Sequence, residues 1–341
     1  MPNSASFDVY IPSLIDKFLA SERGDSSSLD PEETNVTHAP PTGRSSPQQA
    51  RSSLETTFRH SGWFHPRNRI WHAMDCPEIS ENRRGAFAAC GNSAWIVRHP
   101  DHPDRLAVRS IHCHDRFCVP CAREHGFLIA NNVTKYAQYK RIRFITLTLR
   151  HSDLPLSDQI DKLIADFRKL RATKLWTDRT TGGCSFLEVK LADDGIHWHP
   201  HLHILQEGRY IPHQALSSEW RRITLTSFIV HIAEPKGRHD VIKYVTKYAS
   251  KPLGMGLTLH ADKLREALLL LNNRRMMTTF GTWRGFKLCE KPESIDWIPI
   301  APLSDVLFKA LAGVPWAVSL FLKLRGSNRC LKLLIPINVP P

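Results

Sequence analysis

His197-Trp198-His199-Pro200-His201-Leu202-His203-Ile204-Leu205 is the stretch whose reading decides the fold. Its four histidines occupy every second position, so an extended backbone turns all of them to one side. Pro200 has no N–H to give to a ladder, so the strand is expected to begin there and run over His201–Leu205, with His201 and His203 fixed on a sheet face. Just upstream, Asp193-Asp194-Gly195 is a turn signal and Cys184–Leu191 reads as a strand, so the two strands are expected to form a hairpin. The Gly182-Gly183 pair is expected to separate that strand from an amphipathic helix over Leu156–Leu175, where Ile160, Leu163, Ile164, Phe167 and Leu170 recur at steps of three and four. Before it, Arg143–Leu149 alternates and is β-branched, a half-buried strand that follows a basic helix running from about Ala122 to Lys140. Downstream come a helix over His213–Arg222, a strand over Phe228–Ile232, a helix over Asp240–Lys251 stopped by Pro252 and Gly254, and a helix over Ala261–Leu271. The class is α+β.

The 341 residues carry 46 Lys and Arg against 33 Asp and Glu, a formal charge of +13, which points to a polyanionic partner. With 42% hydrophobic and 23% charged residues there is material for a core, and a wholly unstructured chain is excluded. Ser21–Ser53 is rich in Ser, Pro, Glu and Thr, so residues 1–60 are expected to form a largely disordered arm. The longest apolar run, Ala310–Leu322, is broken by Gly313, Pro315 and Ser319 and is too short to span a bilayer. No membrane partner is expected. The opening MPNSASFDVYIPS has no basic and no apolar region of a secretory signal, so a reducing, cytoplasmic setting is expected. The cysteines then read as thiols or metal ligands rather than disulfides.

Three clusters carry chemistry. His201 and His203 can each offer a nitrogen to a divalent ion, and Glu188, on the expected hairpin partner, would complete a three-ligand face with open positions; the competing reading is a solvated histidine-rich edge. Tyr244 and Tyr248 are four apart on one helical face, with Lys247 and Lys251 alongside to supply positive charge. A phenol with pKa near 10 becomes a nucleophile only if its anion is stabilised; alternatively one tyrosine packs inward and the lysines form a solvated face. Cys90, Cys113, Cys118 and Cys121 are spaced C-x22-C-x4-C-x2-C, four thiolates suited to structural Zn2+. His112, His114 and His125 are possible substitutes, while Cys76, Cys184, Cys289 and Cys330 read as ordinary residues. Between Lys135 and Lys174, ten Lys and Arg face four Asp, which favours phosphate contact. Arg274, Arg275, Arg284 and Lys287 alternate with Phe280, Trp283 and Phe286, either as a base-stacking platform or as a charged surface over core aromatics.

Taken in order, FITLTL (Phe144–Leu149), HPHLHIL (His199–Leu205) and KYVTKYASK (Lys243–Lys251) resemble the rolling-circle replication initiators of the HUH endonuclease superfamily. The two-tyrosine helix looks most like that of initiators from isometric single-stranded DNA phages, and CHDRFCVPCA (Cys113–Ala122) resembles the cysteine-rich segments that precede the nuclease in plasmid Rep proteins. The motifs cover about Cys90–Lys251. The resemblance implies a ferredoxin-like or RRM-like nuclease core, an antiparallel sheet with helices on one face, over residues 131–292. A small zinc-binding module over 61–130 and a helical C-terminal extension over 293–341 would flank it.

It further implies that His201 and His203, with Glu188, bind Mg2+ or Mn2+, and that Tyr244 attacks a DNA phosphodiester to leave a free 3'-hydroxyl and a 5'-phosphotyrosyl link. Tyr248 could make a second cut, and Lys247 could stabilise phosphate or tyrosinate. No G-x-x-x-x-G-K-[ST] loop occurs in these residues, so an ATPase helicase domain is not expected. The implied partners are a replication origin, single-stranded or cruciform, and a helicase and single-strand-binding protein of a bacterial host. A rolling-circle insertion-sequence transposase would share this chemistry; a non-enzymatic, zinc-containing nucleic-acid-binding regulator would not.

Overall fold

The computed structural model describes residues 54–150, 152–192, 194–250, 255–292 and 294–327. The arm expected over residues 1–60 lies almost wholly outside them, as do Asp193 of the expected turn, Lys251 and Cys330. The helices are α1 (Phe64–Ala73), α2 (Glu81–Ala88), α3 (Val119–Ala137), α4 (Leu156–Arg171), α5 (Lys174–Thr177), α6 (His213–Thr224), α7 (Arg238–Ser250), α8 (Ala261–Leu270), α9 (Leu303–Leu311) and α10 (Pro315–Ser327). The strands are β1 (Trp95–Arg98), β2 (Leu106–Arg109), β3 (Ile142–Thr148), β4 (Thr180–Leu191), β5 (Trp198–Gly208), β6 (Val230–Ala233), β7 (Met277–Gly281) and β8 (Ile298–Pro302). Among the described residues, no single helix is long and apolar enough to cross a membrane.

The chain is α+β, with two antiparallel sheets in two compact units. The larger unit, residues 65–88 and 113–293, holds a five-stranded sheet in the order β6-β3-β5-β4-β7. In β3–α4–β4 the helix connects two strands that do not touch, because β5 pairs with both of them. Three cross-strand rows follow from the register: Phe144, Leu205 and Cys184; Thr146, His203 and Phe186; Thr148, His201 and Glu188. All nine side chains point to one face.

On that face, α3 and α7 cover the first row. Ile129, Val133 and Ala137 of α3 recur at steps of four and meet Phe144, Cys184, Leu205 and the α7 residues Val241 and Val245 in one core. Pro120 sits in the first turn of α3, where its missing N–H costs nothing. The opposite face carries Ile145, Leu147, Ile204 and Leu202, all buried. There α4 buries Leu156, Ile160, Leu163, Phe167 and Leu170, each contributing about 1.5–3 kcal/mol. Phe167 meets Phe280 of β7 edge-on at 5.8 Å, and α6 packs against α4. Helices therefore flank the sheet on both faces, not on one as expected, since both sides of the central strands are apolar.

Two backbone features differ from expectation. Gly182-Gly183 is not a separator but part of β4, at a register irregularity after Thr180. A Cβ on Gly183, whose φ is +154°, would lie 2.0 Å from the carbonyl oxygen of Leu205, so the pair is needed for close strand approach. Pro200 lies inside β5, opposite Val189, rather than at its start. It is tolerated because the ladder to β3 extends only to His201, leaving β5 one-sided at the proline.

The smaller unit, described over residues 54–64, 89–112 and 294–327, has a three-stranded sheet β2-β1-β8. Ile96, Leu106, Leu303, Val306, Leu307, Phe321 and Leu324 form its core, which uses one face of the sheet and helices α9 and α10. The expected 61–130 module and 293–341 extension are thus not consecutive blocks here. Residues 89–112 share a sheet with 298–302, while the segment from Cys113 onward belongs with the large sheet.

Candidate functional site

β5 presents His199, His201 and His203 in sequence along one face, with ring centroids 4.1 Å and 6.0 Å apart. His203 is the hub. Its Nε2 lies 2.8 Å from a Glu188 carboxylate oxygen, its Nδ1 lies 3.1 Å from Thr146 Oγ1, and the Tyr244 hydroxyl is 3.5 Å from the same Nδ1. Lys190 Nζ donates to that Glu188 oxygen at 3.2 Å. Burial alone would raise the Glu188 pKa, but the His203 hydrogen bond and the Lys190 ammonium outweigh it and hold the carboxylate below its usual range. Burial keeps both imidazoles neutral, lowering His203 and pushing His201 down to about 3.

α7 lays its two tyrosines on this row. The Tyr244 ring stacks on Phe144 at 3.9 Å, and its hydroxyl donates to the Ile145 carbonyl at 3.4 Å. Burial raises its pKa well above that of a free phenol. Tyr248, one turn later, stacks face to face on His203 at 3.4 Å and meets Tyr244 edge-on at 4.7 Å. Lys247 Nζ lies 4.9 Å from the centre of the Tyr248 ring. The structure therefore brings together Tyr244, Tyr248, Lys247, His201, His203 and Glu188, which come from three separate elements.

His197 leaves the row. It precedes β5 and is held between Asp153, at 2.9 Å, and Asp194, which raise its pKa; Asp194 also accepts from the backbone N–H groups of Ile196 and His197. It closes the turn rather than joining the other three histidines. Thr146 and Lys190 were not anticipated. Both have the parity of the site residues, so only the strand register could have revealed them.

His201, His203 and Glu188 offer donor types suited to a divalent ion, two imidazoles and a carboxylate, but their ligand atoms do not converge as a metal-holding group in this structure. His201 Nδ1 is buried without a hydrogen-bond partner, an orphaned acceptor or donor of the kind a ligand would satisfy.

A second cluster is sulfur-based. The Sγ atoms of Cys90, Cys113, Cys118 and Cys121 all lie within 4.8 Å of one another, with Cys113 and Cys121 3.7 Å apart. Among the described residues no other group of three or more His, Cys, Asp or Glu ligand atoms converges in this way. Cys118 is the N-cap of α3 and Cys121 lies in its first turn, where the helix dipole favours thiolates. Four thiolates in this arrangement could bind a structural metal such as Zn2+. His112, His114 and His125 are outside this group of ligand atoms, and His125 Nε2 lies 3.6 Å from Cys289 Sγ. Cys184 is a core thiol whose pKa burial raises strongly.

The basic and aromatic segment after Arg274 resolves toward the core reading. Phe280 and Trp283 are 3% and 0% exposed and cannot receive bases, and Phe286 stacks on Tyr136 at 4.3 Å. Part of the Lys135–Lys174 charge is likewise engaged internally: Lys162 and Lys169 flank Asp166, and Lys140 pairs with Glu207.

No protein-family model, no curated protein and no solved structure matches this chain.

Proposed function

We propose that the chain is a DNA nicking and joining enzyme of the HUH type that uses an α7 tyrosine as nucleophile. What supports this reading is one juxtaposition: two tyrosines a helical turn apart in ring contact with His203, on a sheet face that also holds His201 and Glu188. The strand order β6-β3-β5-β4, with its split β-α-β unit and hairpin, lends support to this reading.

In this reading His201, His203 and Glu188 would hold Mg2+ or Mn2+, which when bound would polarise a phosphate oxygen and offset charge on it. Thr146 fixes the His203 ring through Nδ1, and on binding the ion Nε2 would exchange its hydrogen bond to Glu188 for the metal. The phenol loses its proton, its oxygen bonds to phosphorus, the P–O3' bond breaks and the departing 3' oxygen is protonated. The bond energy is kept in the 5'-phosphotyrosyl ester, so the step runs backwards when a 3'-hydroxyl returns. Tyr248 is the better placed for first attack: it lines an open cleft beside Lys247, whereas the Tyr244 hydroxyl is buried against Ile145. Tyr244 would follow after a local shift of α7, using Tyr248 as the esterified partner.

The test is nicking of a supercoiled plasmid carrying the replicon from which the gene comes, with Mg2+ or Mn2+. Open circles with protein on the 5' end are expected, and they disappear when Tyr244→Phe and Tyr248→Phe are combined. Undiminished nicking by the double variant would end the tyrosine assignment.

A further inference from the structure

Tyr248 lines a cleft of about 430 Å3 whose wall also carries Arg83, Arg116 and Asp115. Both guanidinium groups are pinned. Arg83 Nε donates to Asp115 Oδ2 at 2.7 Å and its Nη1 to the Leu268 carbonyl at 3.0 Å, while Arg116 Nη2 donates to the Arg274 carbonyl at 3.2 Å. Asp115 is fully engaged, because its other oxygen accepts from the Phe117 N–H at 2.8 Å. Each arginine nonetheless keeps one buried nitrogen with no partner, Nη2 of Arg83 and Nη1 of Arg116. Neither nitrogen hydrogen-bonds to a cysteine sulfur, and Cys113 and Cys121 line the same cleft. A buried charged donor left unpaired is costly, so two on one wall mark a place where an acceptor is missing.

We propose that Arg83 and Arg116 form an anion subsite that grips a backbone phosphate of the single-stranded substrate next to the linkage attacked by Tyr248. This rests on the nicking reading and adds substrate-positioning residues to it. Two fixed planar forks suit a phosphodiester better than a mobile ammonium does, because each can offer its donors along set directions. Asp115 acts through Arg83 by holding its fork.

The experiment uses the full chain, without added divalent ion, and a fluorescent single-stranded oligonucleotide spanning the nick site. One phosphate at a time is replaced by an uncharged methylphosphonate. Wild type should lose roughly tenfold or more in affinity at one or two linkages beside the nick. In Arg83→Gln and Arg116→Gln that loss should vanish, and the slope of log K against log salt should fall by roughly 0.7 for each contact removed. Arg83→Lys and Arg116→Lys should keep the slope and blur the position of the sensitive linkage, and they carry the test if the Gln variants fail to fold. A flat methylphosphonate profile in wild type, or an unchanged profile and slope in folded variants, overturns the subsite. In a parallel reaction with Mg2+ added, a covalent adduct alongside a flat profile sinks this inference alone, and absence of any adduct sinks the nicking reading instead.

Discussion

Acid should loosen the centre of the large sheet, and His201 sets how much. Its imidazole is half-buried in β5 and pushed down to about 3 from an ordinary value of 6.5 by that burial. In the unfolded chain it takes a proton near pH 6.5, whereas in the folded chain it resists one until about pH 3. The unfolded state therefore binds more protons between these limits, so stability is complete above about pH 6.5 and is lost progressively as the pH falls toward 3. At about pH 4.5 the gap is two units on the unfolded side, which amounts to roughly 3 kcal/mol at most. The assay is urea unfolding of wild type and His201→Gln at about pH 7.5 and about pH 4.5, without added divalent ion. Glutamine does not titrate, so wild type should lose more than the variant on acidification, by up to roughly 3 kcal/mol. Equal losses would show that His201 is not held neutral by burial, and the account of the histidine row would fail with it.

Other expectations follow from the same geometry. The purified chain should contain about one zinc, and Cys118→Ser should lower zinc content and melting temperature together; a fully folded, zinc-free wild type by metal analysis would contradict the thiolate assignment. Gly183→Ala should destabilise by roughly 2–4 kcal/mol, because the new methyl meets the Leu205 carbonyl in a backbone region unfavourable to alanine; an unaltered thermal melt would show that β4 and β5 can separate without cost. Tyr248→Phe should reduce first-strand cleavage at least tenfold while Tyr244→Phe reduces it less, as read from single-turnover nicking; the reverse order would make the buried phenol the first nucleophile.

How much of this was legible in the sequence depended on whether the signal was local. β5 and α7 were readable because their periods of two and near four mark histidines and tyrosines alike, and Glu188 followed from placing its strand beside β5. The local turn signal misled at Gly182-Gly183: two glycines normally end an element, but here they let β4 approach both β5 and the Thr282 region closely. Pro200 misled for a related reason, since the cost of a missing N–H depends on whether a neighbouring strand is present on that side, which one strand's sequence does not reveal. His197 has the parity of the row, yet Asp153 and Asp194 compete for it more effectively than the strand does. The pairing of β1 with β8 joins segments far apart in the chain and carries no motif, so the C-terminal tail could not be placed. Arg83 and Arg116 were invisible because their meaning comes from what they fail to bond.

The central claim is that a phenol of α7 becomes bonded to DNA phosphorus. Wild type is incubated with Mg2+ and a single-stranded oligonucleotide containing the nick site, digested with protease, and the nucleotide-bearing peptide is sequenced by mass spectrometry. A 5'-phosphate ester is expected on Tyr248, moving to Tyr244 in the Tyr248→Phe variant. Cleaved DNA with unmodified protein, or a modified residue outside α7, would contradict it.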